Sequence, residues 1–90
     1  MNNSRRKAIE DVINTLSELS DSIGSVQDEV SGIYEEELEA YQNLPDGIRE
    51  SEKGDTMTSA MESLESVDSF FADILSSIED AISSLNEAMA

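Results

Sequence analysis

The apolar residues of the chain recur at alternating steps of three and four positions on both sides of one interruption. The interruption lies between Gln42 and Asp55 and contains the only proline, Pro45, together with Gly47 and Gly54. Steps of three and four match the 3.5-residue period of a left-handed coiled coil, and strand-like alternation is absent. The pattern therefore predicts two long α-helices joined by one turn.

Heptad letters assigned from Ile9 define rows of side chains, three of which we name the a, d and e rows. The a row comprises Ile9, Leu16, Ile23, Val30 and Glu37 before the turn, and Met57, Leu64, Phe71, Ile78 and Leu85 after it. The d row comprises Val12, Leu19, Val26, Ile33 and Ala40 before the turn, and Ala60, Val67, Ile74, Ala81 and Ala88 after it. We expect the a and d rows to fill the contact between the two helices.

The helices are predicted at about residues 4–42 and 51–89, with a turn at about 43–50, in a single domain that covers residues 1–90. Ser4 is the predicted cap of the first helix, and Ser51 or Asp55 that of the second. Equal helix lengths and one short connection favour an antiparallel two-helix hairpin. The expected fold class is all-α and resembles a coiled coil.

The e row carries further apolar side chains, so the apolar stripe is wider than a contact between two helices requires. These side chains belong to Ile13, Tyr34, Tyr41, Met61, Leu75, Ile82 and Met89. A further pair of helices would bury them, and a second copy of the chain is the simplest source. The pattern predicts a homodimer that forms a four-helix bundle. The alternative is that a different protein covers this row.

Composition excludes most catalytic chemistry. The chain has no histidine and no cysteine, so it offers no imidazole base, no thiol nucleophile and no imidazole or thiolate ligand for a metal. Exposed carboxylates on a helix lack the pocket that would shift their pKa values. We therefore expect a protein that is not an enzyme, with no catalytic residue, no cofactor and no metal.

Charge limits the possible partners. The chain has 21 acidic and 5 basic residues, a formal net charge of −16. Such a surface repels nucleic acid phosphates and anionic lipid, and no stretch is apolar enough to span a membrane. We expect no direct binding of nucleic acid, no membrane association and a cytoplasmic location.

The acidic residues follow one another without basic neighbours. No basic residue occurs between Ala8 and Ile48 or between Gly54 and Ala90. Most acidic helices interleave Lys or Arg as i,i+4 partners. A dimer would carry about one negative charge per 1.5 Å of its length, close to the value of about one per 1.7 Å for duplex DNA. This density favours a protein that imitates DNA.

The leading hypothesis is a binding protein that inhibits a host enzyme, either one that binds nucleic acid or one that acts in defence, by presenting an anionic surface to its basic cleft. The residues assigned to this acidic surface are Asp28, Glu29, Glu35, Glu36, Glu37, Glu39, Glu62, Glu65 and Asp68. The alternative is a structural or interaction module that holds another protein through an apolar helix face.

The turn segment from Leu44 to Met57, between acidic heptads and preceded by Arg5, Arg6 and Lys7, resembles small acidic helical-hairpin proteins encoded in bacterial phage and prophage genomes. The group has no settled function, so the resemblance implies a setting, the cytoplasm of a host bacterium. The chain length also resembles that of secreted WXG-type hairpins, but the turn here has no tryptophan.

Overall fold

The computed structural model describes residues 1–90 and contains helices without strands; 91% of the chain is helical. Helix α1 spans Asn3–Gln42, helix α2 spans Asp46–Arg49 and helix α3 spans Glu52–Met89. The predicted all-α class is confirmed, and two long helices with a short connection are consistent with a helical hairpin. The long helices begin and end within one residue of the predicted positions. The sequence pattern did not predict α2, a single helical turn inside the connection.

Helix α1 begins one residue earlier than predicted because Asn2, and not Ser4, caps it. The side-chain oxygen of Asn2 accepts a hydrogen bond from the backbone N–H of Arg5 at 2.8 Å. The Arg6 Nε donates to the carbonyl of Met89 at 3.3 Å, one of the carbonyls that have no partner at the end of a helix. This bond places the start of α1 beside the end of α3, as antiparallel helices require.

Backbone hydrogen bonds around Pro45 hold the connection between the long helices. The Pro45 carbonyl accepts from the N–H groups of Ile48 and Arg49, both at 2.9 Å. The proline ring fixes φ at −58°, immediately before α2 begins. No residue of the chain has a φ in the left-handed region. Neither Gly47 nor Gly54 is therefore required for its backbone freedom.

Gly54 is required because another part of the backbone passes too close to it for a side chain. Gly54 is buried, and a Cβ atom built there would lie 1.8 Å from the carbonyl oxygen of Arg49. Nothing lies within 4 Å of the corresponding point at Gly47. The absence of a side chain at Gly54 allows the end of α2 to pack against the first turn of α3.

The chain divides into two compact units, each of which contains a segment of α1 and a segment of α3. The first unit consists of Met1–Ser25 and Phe71–Ala90, and the second unit consists of Val26–Phe70. The first unit includes the hydrogen bond between Arg6 and Met89. The second unit includes the connection and α2.

In both units the least exposed side chains belong to the a and e rows, which we call the seam. In the first unit the seam includes Ile9, Ile13, Leu16, Ile23, Phe71, Leu75, Ile78, Ile82, Leu85 and Met89. In the second unit it includes Val30, Tyr34, Tyr41, Met57, Met61 and Leu64, together with the acidic Glu37 and Asp68. The d row lies outside the seam: Val12, Leu19, Val26 and Ile33 are between 43% and 53% exposed. The prediction that the a and d rows fill the contact is wrong.

The size of the side chains on α3 explains which row is buried. The d row of α3 includes Ala60, Ala81 and Ala88, whereas its e row carries larger apolar side chains at Met61, Leu75, Ile82 and Met89. Burying the larger row removes more apolar area from water, and each buried methylene group contributes about 0.8 kcal/mol. Both pairs of rows satisfy steps of three and four, so periodicity alone could not separate them.

Burial in the seam is shallow. Only two hydrophobic side chains are buried, Met61 at 8% exposure and Ile78 at 7%. The accessible surface is 6284 Å², whereas a compact monomer of this size would expose about 5,200 Å². A single copy of the chain therefore has a thin hydrophobic core.

Candidate protein-binding surfaces

All nine residues assigned to the acidic surface lie in the second unit. Seven of them are exposed, namely Asp28, Glu29, Glu35, Glu36, Glu39, Glu62 and Glu65. The other two, Glu37 and Asp68, are half-buried because they occupy seam positions on the a and e rows. The acidic surface thus presents seven exposed carboxylates, and two further carboxylates border the apolar contact of the second unit.

Hardly any of the negative charge is compensated within the chain. Lys7 Nζ lies 3.9 Å from Asp11, one turn apart on α1. Arg49 pairs with Asp46 beside the connection, and its Nε also donates to the Leu44 carbonyl at 3.1 Å. These are the only ion pairs, so none of the nine residues of the acidic surface has a basic group within 4.0 Å. Unscreened like charges repel one another and raise the local negative potential.

One hydrogen bond links an aromatic and an acidic side chain across the second unit. The Tyr34 hydroxyl, on α1, donates to Glu65 Oε1, on α3, at 2.9 Å. This bond raises the pKa of the Tyr34 phenol above its ordinary value of 10.0, since ionisation would remove the donated proton; desolvation and the negative charge of Glu65 add to the effect. The bond holds one carboxylate of the acidic surface in a fixed position.

A groove of about 440 Å³ lies beside this hydrogen bond and opens to solvent. It is lined by Val30, Ser31, Tyr34, Glu35, Leu38, Leu64, Glu65 and Asp68. An apolar floor with carboxylates at the edge suits a long aliphatic side chain that ends in a cation, as in lysine or arginine. Sequence reasoning missed Leu38 because it lies outside the a, d and e rows. Leu38 lies four residues after Tyr34, on the same side of α1, and this spacing could have indicated that the two side chains are neighbours.

Most of the large apolar side chains left exposed belong to the d row, and we call this row together with Phe70 the apolar face. In the first unit the large side chains of the apolar face are Val12, Leu19 and Ile74. In the second unit they are Val26, Ile33 and Phe70, of which Phe70 is 63% exposed, together with the half-buried Val67. No position of the d row is charged.

The seven residues that the sequence pattern assigned to a dimer interface do not lie on the apolar face. Ile13, Tyr34, Tyr41, Met61, Leu75, Ile82 and Met89 all lie in the seam, where they are buried or half-buried within the chain. The chain uses this row for its own helix contact, and the assignment of the row to a dimer interface stays a prediction. The apolar face is the row that the helix contact leaves in water.

Other kinds of site have little support in the geometry. No group of three or more acidic side chains converges in an arrangement that could hold a metal ion. Neither long helix contains a stretch that is both long enough and apolar enough to cross a lipid bilayer. No protein family model, curated protein or solved structure matches this chain.

Proposed function

We propose that this protein is a non-enzymatic, acidic interaction module that binds another protein chain through its apolar face. One observation carries the proposal. Val12, Leu19, Val26 and Ile33 stand about half exposed in a row without charge, on a chain whose net charge is −16. Contiguous exposed apolar side chains with polar surroundings are typical of protein interaction sites.

The assembly that we propose is a four-helix bundle, in which two helices of a partner chain cover the apolar face. In such a bundle the a and e rows hold the helices of one chain together. The d row then holds the two chains together. Three apolar rows on each helix are what a helix with two neighbours requires.

A second function uses a different surface, and the charges of the second unit favour it. We propose that the acidic surface imitates DNA and inhibits a nucleic-acid-binding or defence enzyme that has a basic cleft. In this proposal the protein is phage-encoded and acts in the cytoplasm of its bacterial host. The supporting observation is that none of the nine acidic residues has a cation within 4.0 Å. The two functions are compatible because the d row carries no acid.

The first function is tested by comparing which proteins the immobilised chain retains from a bacterial lysate and how strongly. The double variant Leu19→Asn, Ile33→Asn changes the apolar face. The matched control Ser76→Asn, Ser83→Asn changes two exposed serines of α3 outside the apolar face to the same residue type. We expect the unmodified protein and the control variant to retain the same partner at moderate salt. The apolar-face variant should not retain it. Equal retention by all three proteins would contradict the proposal.

The second function is tested by replacing Glu35, Glu36, Glu37 and Glu39 with Gln, which removes charge and keeps side-chain size. The expected result is a loss of about tenfold or more in affinity for the retained enzyme, a steep decrease with salt, and displacement by duplex DNA. The matched control replaces Glu10, Glu18, Glu79 and Glu87 of the first unit with Gln. If both quadruple variants bind equally well, the acidic surface of the second unit is not the binding site.

A further inference from the structure

We infer that the occupant of the apolar face is a second copy of this chain. The inference rests on the proposed function, since it names the partner of the same surface. Two features of the apolar face support it. One is the absence of acidic residues from the d row, and the other is the distribution of large and small side chains along that row. The exposed area of the single chain supports it as well.

Charge determines which face a second copy can use. Each copy has a net charge of −16, and every acidic residue lies outside the d row. Contact through any other row would bring carboxylates of the two copies together without cations between them, since only Asp11 and Asp46 have ion-pair partners. Such pairs are costly when desolvated. The d row is the only one of the seven heptad rows without an acidic residue, so contact through it places none of its own carboxylates between two copies.

Side-chain size in the first unit fits a twofold partner. In this unit the d row of α1 presents the large residues Val12 and Leu19, whereas that of α3 presents the small residues Ala81 and Ala88 beside the large Ile74. A twofold axis can place α1 of one copy against α3 of the other. The alanines of α3 then leave room for large side chains of α1 from the other copy, so this part of the surface can complement itself. A partner with large side chains opposite both helices would not fit as closely.

The exposed area of the single chain is also large enough to include a stable dimer interface. The single chain exposes 6284 Å², about 1,100 Å² more than a compact monomer of the same size. A stable interface buries about 800 Å² on each partner. A second copy seated on the apolar face would therefore bring the burial per chain into the range of ordinary folded proteins.

The test is the oligomeric state of the purified full chain, measured by light scattering and sedimentation from nanomolar to tens of micromolar concentration. The unmodified protein should have twice the chain mass at micromolar concentration, and added salt should strengthen the dimer by screening the net charges. The double variant Leu19→Asp, Ile33→Asp should be helical, with a dimer at least about a hundred-fold weaker. The control Ser76→Asp, Ser83→Asp adds the same charge at exposed positions of α3 outside the apolar face and should stay dimeric.

A second variant covers the case in which the two aspartates prevent folding. Leu19→Ala, Ile33→Ala adds no charge and keeps a good helix former at both positions, and it should also weaken the dimer. A helical monomer of unmodified protein at tens of micromolar would overturn the inference, as would dimers of equal strength in the apolar-face and control variants.

Failure of this inference differs from failure of the proposed function. If the unmodified protein is monomeric but retains another protein from lysate through Leu19 and Ile33, the second-copy inference is wrong and the interaction module stands. If it is monomeric and the apolar-face variants change nothing in either experiment, both are wrong.

Discussion

The carbonyl oxygen of Arg49 occupies the space in which any side chain at Gly54 would begin. A Cβ built on Gly54 lies 1.8 Å from that oxygen, although the two residues belong to different helices, α2 and α3. The clash would be between a backbone atom of Arg49 and the first side-chain atom of residue 54. Rotation of a flexible side chain could therefore not relieve it. The approach of α2 to α3 depends on this single glycine.

Gly54→Ala should therefore destabilise the protein. The added methyl group forces α2 away from the first turn of α3, and overpacking of this kind costs about 1–3 kcal/mol or more. Gly47→Ala is the matched control, since its space is open and its φ is not in the left-handed region. Thermal and urea unfolding monitored by circular dichroism would measure both. Equal losses at the two glycines would contradict this account of the turn.

Replacing Ile78 with Ala should cost about 2–5 kcal/mol, the range for buried aliphatic residues. Ile74→Ala, one helical turn away, removes the same atoms from a side chain that is 44% exposed, against 7% for Ile78. In dilute protein, where any dimer has dissociated, its cost should be much smaller. Urea unfolding of both variants distinguishes two arrangements. In the observed a and e seam the larger cost falls on Ile78, whereas an a and d seam would bury both residues and give similar costs.

The phenol of Tyr34 should give a pH dependence at alkaline pH. Its pKa is raised in the folded state above 10.0, the ordinary value in the unfolded chain. The stabilisation it contributes is thus complete below pH 10 and is lost as pH rises through the folded pKa. In a Tyr41→Phe background, which leaves one tyrosine, the absorbance of the phenolate should report this raised pKa.

Glu65→Gln provides the control for that titration. Glutamine keeps an oxygen that can accept the Tyr34 proton but removes the charge, so the phenol pKa should move back toward 10.0. Tyr34→Phe should abolish the alkaline dependence of stability attributed to this group. A phenol pKa that is the same with Glu65 and with Gln would contradict the contribution of that carboxylate.

Gly32→Ala should stabilise the protein by about 1 kcal/mol, because alanine is the better helix former. Gly32 is exposed in the middle of α1, and nothing lies within 4 Å of where its Cβ would be. Chemical unfolding of the two proteins would measure the difference. A loss of stability would indicate that another chain approaches α1 closely at this point.

The sequence was sufficient to predict the helices but not the side of each helix that is buried. Steps of three and four identified α1 and α3 to within one residue, because the period of apolar residues is a property of one helix. The choice between d and e rows depends on how two helices pack. Val12 and Ile13 are both apolar, and only the larger e-row residues of α3 decide which of them is buried. The side of the seam was therefore predicted incorrectly.

The acidic surface was predictable to a greater extent than the groove. Charged residues such as Glu35 and Glu36 are exposed almost wherever a helix places them, and the structure does expose both. The groove depends on Tyr34 and Glu65, which are distant in sequence and meet only because the two helices pack with this particular face. No local pattern contains that information. Asp68, on the e row, moved from the expected surface to the seam for the same reason, whereas Glu37 lies on the a row, which the pattern had already assigned to the helix contact.

The presence of Glu37 and Asp68 in the seam has a consequence for the way the protein opens. In the first unit the least exposed positions of α1 are apolar, except for Ser20 and the first turn of the helix. In the second unit these two carboxylates interrupt the apolar contact. Water reaches a carboxylate more readily than an isoleucine, so local unfolding costs less there. Amide hydrogens of Val26–Phe70 should exchange with deuterium sooner than those near Leu16 and Ile78. The half of the chain that carries the acidic surface would then also be the more adaptable half.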